Sequence, residues 1–239
     1  MIEVNQISEI ITKKLPNISS ISITELSLAV ASPSRKAIEH RYFKMNCVHG
    51  QDSKVFFIKN ILEETEEILQ FEKISKNYED IKVNETAKLF SVLYEEKLIL
   101  LEYLEGYKTV NLRQLRDKDN IKKILNFKKN LSKTPKLNNS DTIFTLIDKY
   151  FQYLDDKKLA KFNNYEFYFN NYILIKKKLE NIDKDSVPCH VDNSASNFML
   201  HKNKDLKIID FDFCSNNDPL SDLGSFTSEV CLFKNEINP

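Results

Sequence analysis

The chain has 239 residues, enough for one large domain or two small lobes with a proper core. Its 35 Lys and Arg balance its 35 Asp and Glu, so no basic excess speaks for a nucleic-acid partner. No apolar run approaches the roughly twenty residues needed to cross a bilayer, and the N-terminus MIEVNQISEIITKKLPN lacks the pattern of a signal peptide. A cytoplasmic protein without a membrane partner is expected.

In chain order, residues 1 to 15 read as an amphipathic helix with Ile2, Ile7, Ile10, Ile11 and Leu15 on one side, ended by Pro16. Two strands follow, Ile21 to Val30 and Ala37 to Cys47, joined by the small residues around Ser32, Pro33 and Ser34. After a turn at Gly50, Lys54 to Lys59 (KVFFIK) is an apolar strand that ends on a lysine. Ile61 to Tyr78 reads as a helix that mixes apolar residues with Glu63, Glu64, Glu66, Glu67 and Glu72. Strands are expected at Ala87 to Tyr94 and Leu98 to Leu104, turning at Glu95 to Lys97.

Beyond Asn111 the pattern is helical: Leu112 to Leu131, Asp141 to Lys161 and Tyr165 to Ile182. The aromatic run between Thr145 and Leu154 has helical spacing and reads as core rather than as a ligand box. Only Gly50, Gly106 and Gly224 are glycines, which excludes a GxGxxG or Walker loop. Cys47, Cys189, Cys214 and Cys231 lie far apart with no CxxC pair and read as reduced structural thiols.

The chemistry concentrates between Val187 and Gly224. His190, Asp192 and Asn197 form an HxDxxxxN pattern, followed by two apolar runs, Phe198 to Leu200 and Leu206 to Phe213, across the polar turn His201 to Asp205. A β-hairpin is expected. It would bring Asn197, just before one strand, beside Asp210, near the end of the other. An Asn amide oxygen and an Asp carboxylate are hard ligands suited to Mg²⁺. Asp192 would project from the same loop as a carboxylate able to orient a hydroxyl and take its proton. Any one of these spacings is common by chance, since Asp and Asn are ordinary turn formers; the full series in order is not.

This run resembles the catalytic segment of the choline and ethanolamine kinase family, and its bacterial choline kinase branch in particular, within the aminoglycoside phosphotransferase and protein-kinase-like superfamily. The residues that carry the resemblance are His190, Asp192 and Asn197, then Ile208 to Asp212 (IIDFD), Asn217 to Leu223 (NDPLSDL) and Glu229. It is close over about forty residues and looser elsewhere.

The resemblance implies an α+β, two-lobed fold. An N-terminal nucleotide-binding lobe, 1 to 104, would hold a small antiparallel sheet with one main helix; a mostly helical catalytic and acceptor-binding lobe, 105 to 239, would carry the hairpin. ATP and Mg²⁺ are the implied cofactors. Lys59, paired with a helix glutamate, would hold the donor phosphates; Glu67 is the choice, with Glu63 and Glu64 as alternates. Ser32 and Ser34 would cover the phosphates, though the family usually has glycine or small residues there. Backbone groups of Glu102 and Leu104 would meet adenine. Asn197 and Asp210 would hold the metal, Asp192 would act as base, and His190 and Asp222 would support the loop. Asp212 is either a second metal contact or part of the acceptor site, with Glu229 also at the acceptor.

The implied acceptor is a small cationic amino alcohol, choline or ethanolamine. The chain has no Trp for the tryptophan cage of eukaryotic members. Family members usually continue for several dozen residues past the equivalent of Leu223, so the chain reads as a shortened or divergent member. Three other readings stand beside this one: an aminoglycoside or other small-molecule kinase of the same superfamily, an inactive kinase-like nucleotide-binding scaffold, and a metal-dependent hydrolase.

Overall fold

The computed structural model describes residues 3–26, 40–62, 70–138, 141–158, 163–179 and 185–232. Ser32, Ser34, Glu63, Glu64 and Glu67 therefore lie outside the described residues.

The N-terminal half is an antiparallel sheet backed by a helix. Helix α1 (Val4–Lys14) buries Ile7 and Ile11, and Gln6 accepts the Glu3 amide hydrogen at its start. Strands β1 (Ile18–Glu25), β2 (Arg41–His49), β3 (Asp52–Asn60), β4 (Leu89–Leu93) and β5 (Leu98–Glu102) form one sheet in the order β1-β2-β3-β5-β4.

Strand alternation divides the apolar residues between two cores. Phe56 and Ile58 of β3, with Leu98 and Leu100 of β5, join Ile7 and Ile11 of α1 on one face. Ile99 and Leu101 point the other way, into a larger cluster with helix α2 (Phe71–Asp80) and the helices that follow. Lys59 pairs with Ile99 in the β3–β5 ladder, so it shares the inner face with Phe57 rather than the α1 face.

Beyond β5 the chain turns at Gly106 into β6 (Tyr107–Thr109), which pairs with β8 (Phe198–His201); β8 in turn pairs with β9 (Leu206–Ile208). The helical part comprises α3 (Leu112–Leu115), α4 (Lys118–Leu131), α5 (Ile143–Asp156), α6 (Tyr165–Leu179) and α7 (Pro219–Leu232). A small ribbon of β7 (Val187–Cys189) and β10 (Ser215–Asn217) closes the hairpin region. The architecture is thus mixed, with an antiparallel sheet in the N-terminal half followed by a largely helical half. No helix among the described residues is long and apolar enough to cross a membrane.

Several elements differ from expectation. The helix read over Leu112 to Leu131 is two helices, because the Asp117 carboxylate accepts the Asp119 and Asn120 amide hydrogens at 3.0 and 3.2 Å and starts a new N-terminus. The strand read over Leu206 to Phe213 stops at Ile208, since Asp210 takes a left-handed conformation with φ of 65°. The strand read to Leu104 ends at Glu102. Strands β6, β7 and β10, each three residues, were too short for alternation to register.

Gly106 has φ of 78°, and a Cβ there would sit 2.8 Å from the His201 imidazole; Gly50 has φ of 66° with open space around it. The left-handed conformation alone costs a substituted residue roughly 1–2 kcal/mol. Gly50→Ala should lose about that much in thermal unfolding, and Gly106→Ala measurably more, because His201 must also leave its place on β8. Equal losses would mean that the turn into β6 tolerates the displacement.

Candidate active site

The inner face of β3 and the turns around β8 and β9 converge on one acidic centre. The Lys59 ammonium donates to both oxygens of Asp212 at 2.6 Å and to Asp210 Oδ1 at 3.0 Å. Burial works against the charged lysine, but the Asp210 and Asp212 carboxylates outweigh it and hold the Lys59 pKa well above the usual lysine value. The same contest ends differently for the two acids. Burial and the charge of Asp212 push Asp210 upward, whereas the nearby Lys59 and His40 overcome burial and hold Asp212 below the ordinary carboxylate range.

Helix α2 clamps the turn that carries these acids. Asn77 donates to the carbonyls of Phe211 and Cys214 at 2.9 and 3.0 Å, and the Tyr78 hydroxyl donates to Asp212 Oδ1 at 3.4 Å. Both residues lie on the stripe of α2 that includes buried Ile74. A polar residue within an apolar stripe was the available sign of their role.

Asp192 lies in the loop between β7 and a single 3₁₀ turn, Ala195–Asn197. The Ser194 amide donates to its Oδ1 at 3.3 Å. Asn197 donates from Nδ2 to the Asp192 carbonyl at 3.1 Å, and its own carbonyl accepts from the Ile209 amide at 2.9 Å. His190 Nε2 donates to the Ile209 carbonyl at 2.9 Å, so the Asp192 loop and the Asp210 turn are stitched together twice. Burial, and then the charge of Lys128, lower the His190 pKa and keep the imidazole neutral.

Beneath this loop lies a second buried ion pair, which sequence reasoning missed on one side. Lys128 of α4 donates to Asp222 Oδ2 at 2.9 Å and to Asn193 Oδ1. Asp222 Oδ1 in turn accepts from the Val191 amide and from Asn193 Nδ2, both at 3.0 Å. Val191 is β-branched yet has φ of 70°, a conformation that persists only where its surroundings over-determine it. Lys128 occupies the same stripe as buried Ile124, Phe127 and Leu131, a lysine where the helix period calls for an apolar residue. That was its legible signal.

The remaining expected residues are placed as follows. Glu229 of α7 accepts the Ala195 amide hydrogen at 3.1 Å and so anchors the 3₁₀ turn. Glu102 ends β5 with its amide committed to the Lys88 carbonyl at 2.8 Å, and the Leu104 carbonyl accepts from Tyr107. Among the described residues the carboxylate partners of Lys59 are Asp210 and Asp212.

An antiparallel sheet followed by a largely helical half, with a sheet lysine bonded to an acidic turn of that half, is the fold of the protein-kinase-like phosphotransferases. A family model for choline/ethanolamine kinases matches residues 36–239, and the chain belongs to that family: it is a small-molecule kinase.

Solved structures agree on the fold. Choline kinase LicA from Streptococcus pneumoniae is 21% identical, with a TM-score of 0.72 over 97% of this chain and 76% of that one. The same protein in complex with AMP gives a TM-score of 0.69 at the same identity and coverage. A Plasmodium vivax ethanolamine kinase is 16% identical, with a TM-score of 0.68 over 95% of this chain and 67% of that one. No match was found among curated protein sequences.

Removing one member of a buried pair leaves an uncompensated charge, typically at a cost of about 3–5 kcal/mol. Lys128→Met should destabilise the protein by roughly that amount, read by chemical denaturation. Burial pushes the Asp222 carboxyl up, but Lys128 overcomes it and holds the folded-state pKa below the ordinary value. The contribution of Asp222 is therefore complete above about pH 4 and is lost as the pH falls further. In Lys128→Met the largest opposition to burial is gone and the hydrogen bonds from Asn193 and Val191 remain, so the loss should move to higher pH in melting curves taken across the acid range.

Proposed function

We propose that the chain transfers the γ-phosphoryl group of ATP, with Mg²⁺, to the hydroxyl of a small cationic amino alcohol, choline or ethanolamine. The observation that carries this reading is one bonded series: Lys59 to Asp210, then the neighbouring Ile209 amide to Asn197, then Asn197 to Asp192. The strand lysine, the Asp210 turn and Asn197 are thereby joined to the main chain of the residue that carries the candidate base.

Asp192 is the base. Its Oδ1 is tethered by the Ser194 amide, which fixes the carboxylate and leaves Oδ2 to accept the hydroxyl proton. As the acceptor oxygen bonds to the γ-phosphorus, the bond to the bridging oxygen breaks and its electrons leave with ADP. An alcohol is a weak acid, so this carboxylate contributes through position more than through basicity.

Among the described residues no group of three or more His, Cys, Asp or Glu side chains is arranged to hold a metal ion. That suits Mg²⁺, which is usually held by one or two carboxylates and completes its shell with water and phosphate oxygens. Asn197 fits, because its Nδ2 is spent on the Asp192 carbonyl and Oδ1 is the end left over. Asp210 fits, because its side chain is 33% exposed. When bound, Mg²⁺ would bridge the donor phosphates and offset their charge.

The nucleotide would lie across the end of β5, with the Glu102 carbonyl and the Leu104 amide toward adenine; a structural relative solved in complex with AMP supports nucleotide binding as such. Lys59 would reach the phosphates, with Ser32 and Ser34 above them and Glu67 as a further partner. The boundary between nucleotide and acceptor lobes falls at 104/105. A cationic acceptor would find carboxylate charge at Asp192 and Glu229. It would also find an aromatic wall at Phe213 and Tyr150, whose rings stack at 6.3 Å. The cytoplasm, where ATP is supplied, is the setting this reading requires.

Purified protein given Mg-ATP with choline, ethanolamine and an aminoglycoside should turn over one of the first two. Turnover of the aminoglycoside alone would replace the acceptor assignment, and ATP consumption without any acceptor would make the chain a hydrolase. Asp192→Ala should lower kcat by about a hundredfold or more, and a chelator should abolish turnover reversibly.

A further inference from the structure

A lysine ammonium has three hydrogens, and those of Lys59 meet three carboxylate oxygens: both of Asp212 at 2.6 Å and one of Asp210 at 3.0 Å. If Lys59 is to reach donor phosphates, one of these contacts must be exchanged. The two acids are not equivalent. The Asp212 side chain is 3% exposed, and its Oδ2 also accepts from His40 Nε2 at 2.9 Å. The Asp210 side chain is 33% exposed, and its second oxygen has no partner among the described residues.

Releasing Asp212 would strand a buried carboxylate, whereas releasing Asp210 returns a half-open one to solvent or metal. The contact that yields is therefore the one to Asp210.

We propose that Asp212, fixed from behind by His40, is the permanent orienting carboxylate of Lys59, and that Asp210 is the exchangeable one. This rests on the reading of Lys59 as the phosphate-binding lysine. His40 is a positioning residue: it touches neither nucleotide nor acceptor and acts through Asp212.

The sheet delivers it there. Tyr42 stands opposite Lys59 in the β2–β3 ladder, and His40, two residues before Tyr42, falls on the same face. The His40 side chain is 5% exposed. Asp212 stays ionised beside Lys59, so the imidazole hydrogen belongs on Nε2. Nδ1, which has no partner among the described residues, then remains a bare acceptor. The contact is a charge-assisted hydrogen bond that holds one Asp212 oxygen while Lys59 holds both.

The test is the affinity of the full chain for ADP, by calorimetry with and without Mg²⁺, in His40→Leu, His40→Asn and His40→Gln. A Gln amide can place its nitrogen close to where imidazole Nε2 lies; an Asn amide ends about one bond short. His40→Leu and His40→Asn should weaken ADP binding by about tenfold, in line with loss of a hydrogen bond to a charged group. His40→Gln should restore it to within about twofold, and KM for the acceptor should stay unchanged throughout.

Wild-type affinity in His40→Leu would overturn the proposal, as would equal weakening in all three variants. If His40→Leu fails to fold in a melting assay, the contrast between His40→Asn and His40→Gln decides in the same way. Lys59→Ala is measured alongside. Should it bind ADP as tightly as wild type, the reading of Lys59 itself falls, and this inference with it. Should Lys59→Ala be weak and His40→Leu normal, only the role of His40 and Asp212 is lost.

Discussion

A lysine almost wholly removed from water stays charged only if carboxylates meet it, and Lys59 finds its carboxylates more than a hundred and fifty residues away in sequence, at Asp210 and Asp212. That one electrostatic requirement ties the inner face of the sheet to the helical half. Other features serve the same turn. Asn77 and Tyr78 bind it from α2, His190 and Asn197 bind its approach from the Asp192 loop, and His40 closes the set from just before β2. The apolar residues arrange themselves around this centre in two layers, because alternation along β3 and β5 sends successive side chains to opposite cores.

Most of the frame was legible in the sequence because it obeys simple periods. The α1 stripe, the run KVFFIK ending on Lys59, and the two strands flanking Glu95 to Lys97 all appear close to where pattern places them. What failed to show was structure set by tertiary contact. Leu206 to Phe213 is apolar apart from Lys207 and its two acids, so nothing local announces that the strand ends at Ile208; Asp210 turns where its carboxylate meets Lys59. The short strands β7 and β10 exist because their ribbon brings Cys189 opposite Ser215, a pairing no window of three residues can suggest.

The site divides along the same line. The acidic run from His190 to Asp222 could be read from residue order, because its chemistry lies within one segment. The partners contributed from elsewhere could not. His40 precedes a strand without a distinguishing neighbour. Lys128 and Asn77 left a fainter trace, as polar residues on apolar helix stripes. Buried polar residues at such positions must have partners. A lysine at the core position of an amphipathic helix therefore points to an unseen carboxylate even before the fold is known.

The two buried lysines solve different problems with the same means. Lys128 faces a closed arrangement: Asp222 spends one oxygen on it and the other on the Val191 amide and Asn193, so the pair locks a strained loop. Lys59 faces an open one, with one acid enclosed and the other partly in solvent. In the role proposed for Lys59, a fully enclosed pair would be too costly to break for the lysine to serve an incoming phosphate, and a fully exposed pair would not hold it in place. Enclosing one carboxylate and opening the other lets a single ammonium be both fixed and available. A single residue, Phe211, separates these acids in sequence, and the left-handed turn at Asp210 is what points them into such different surroundings.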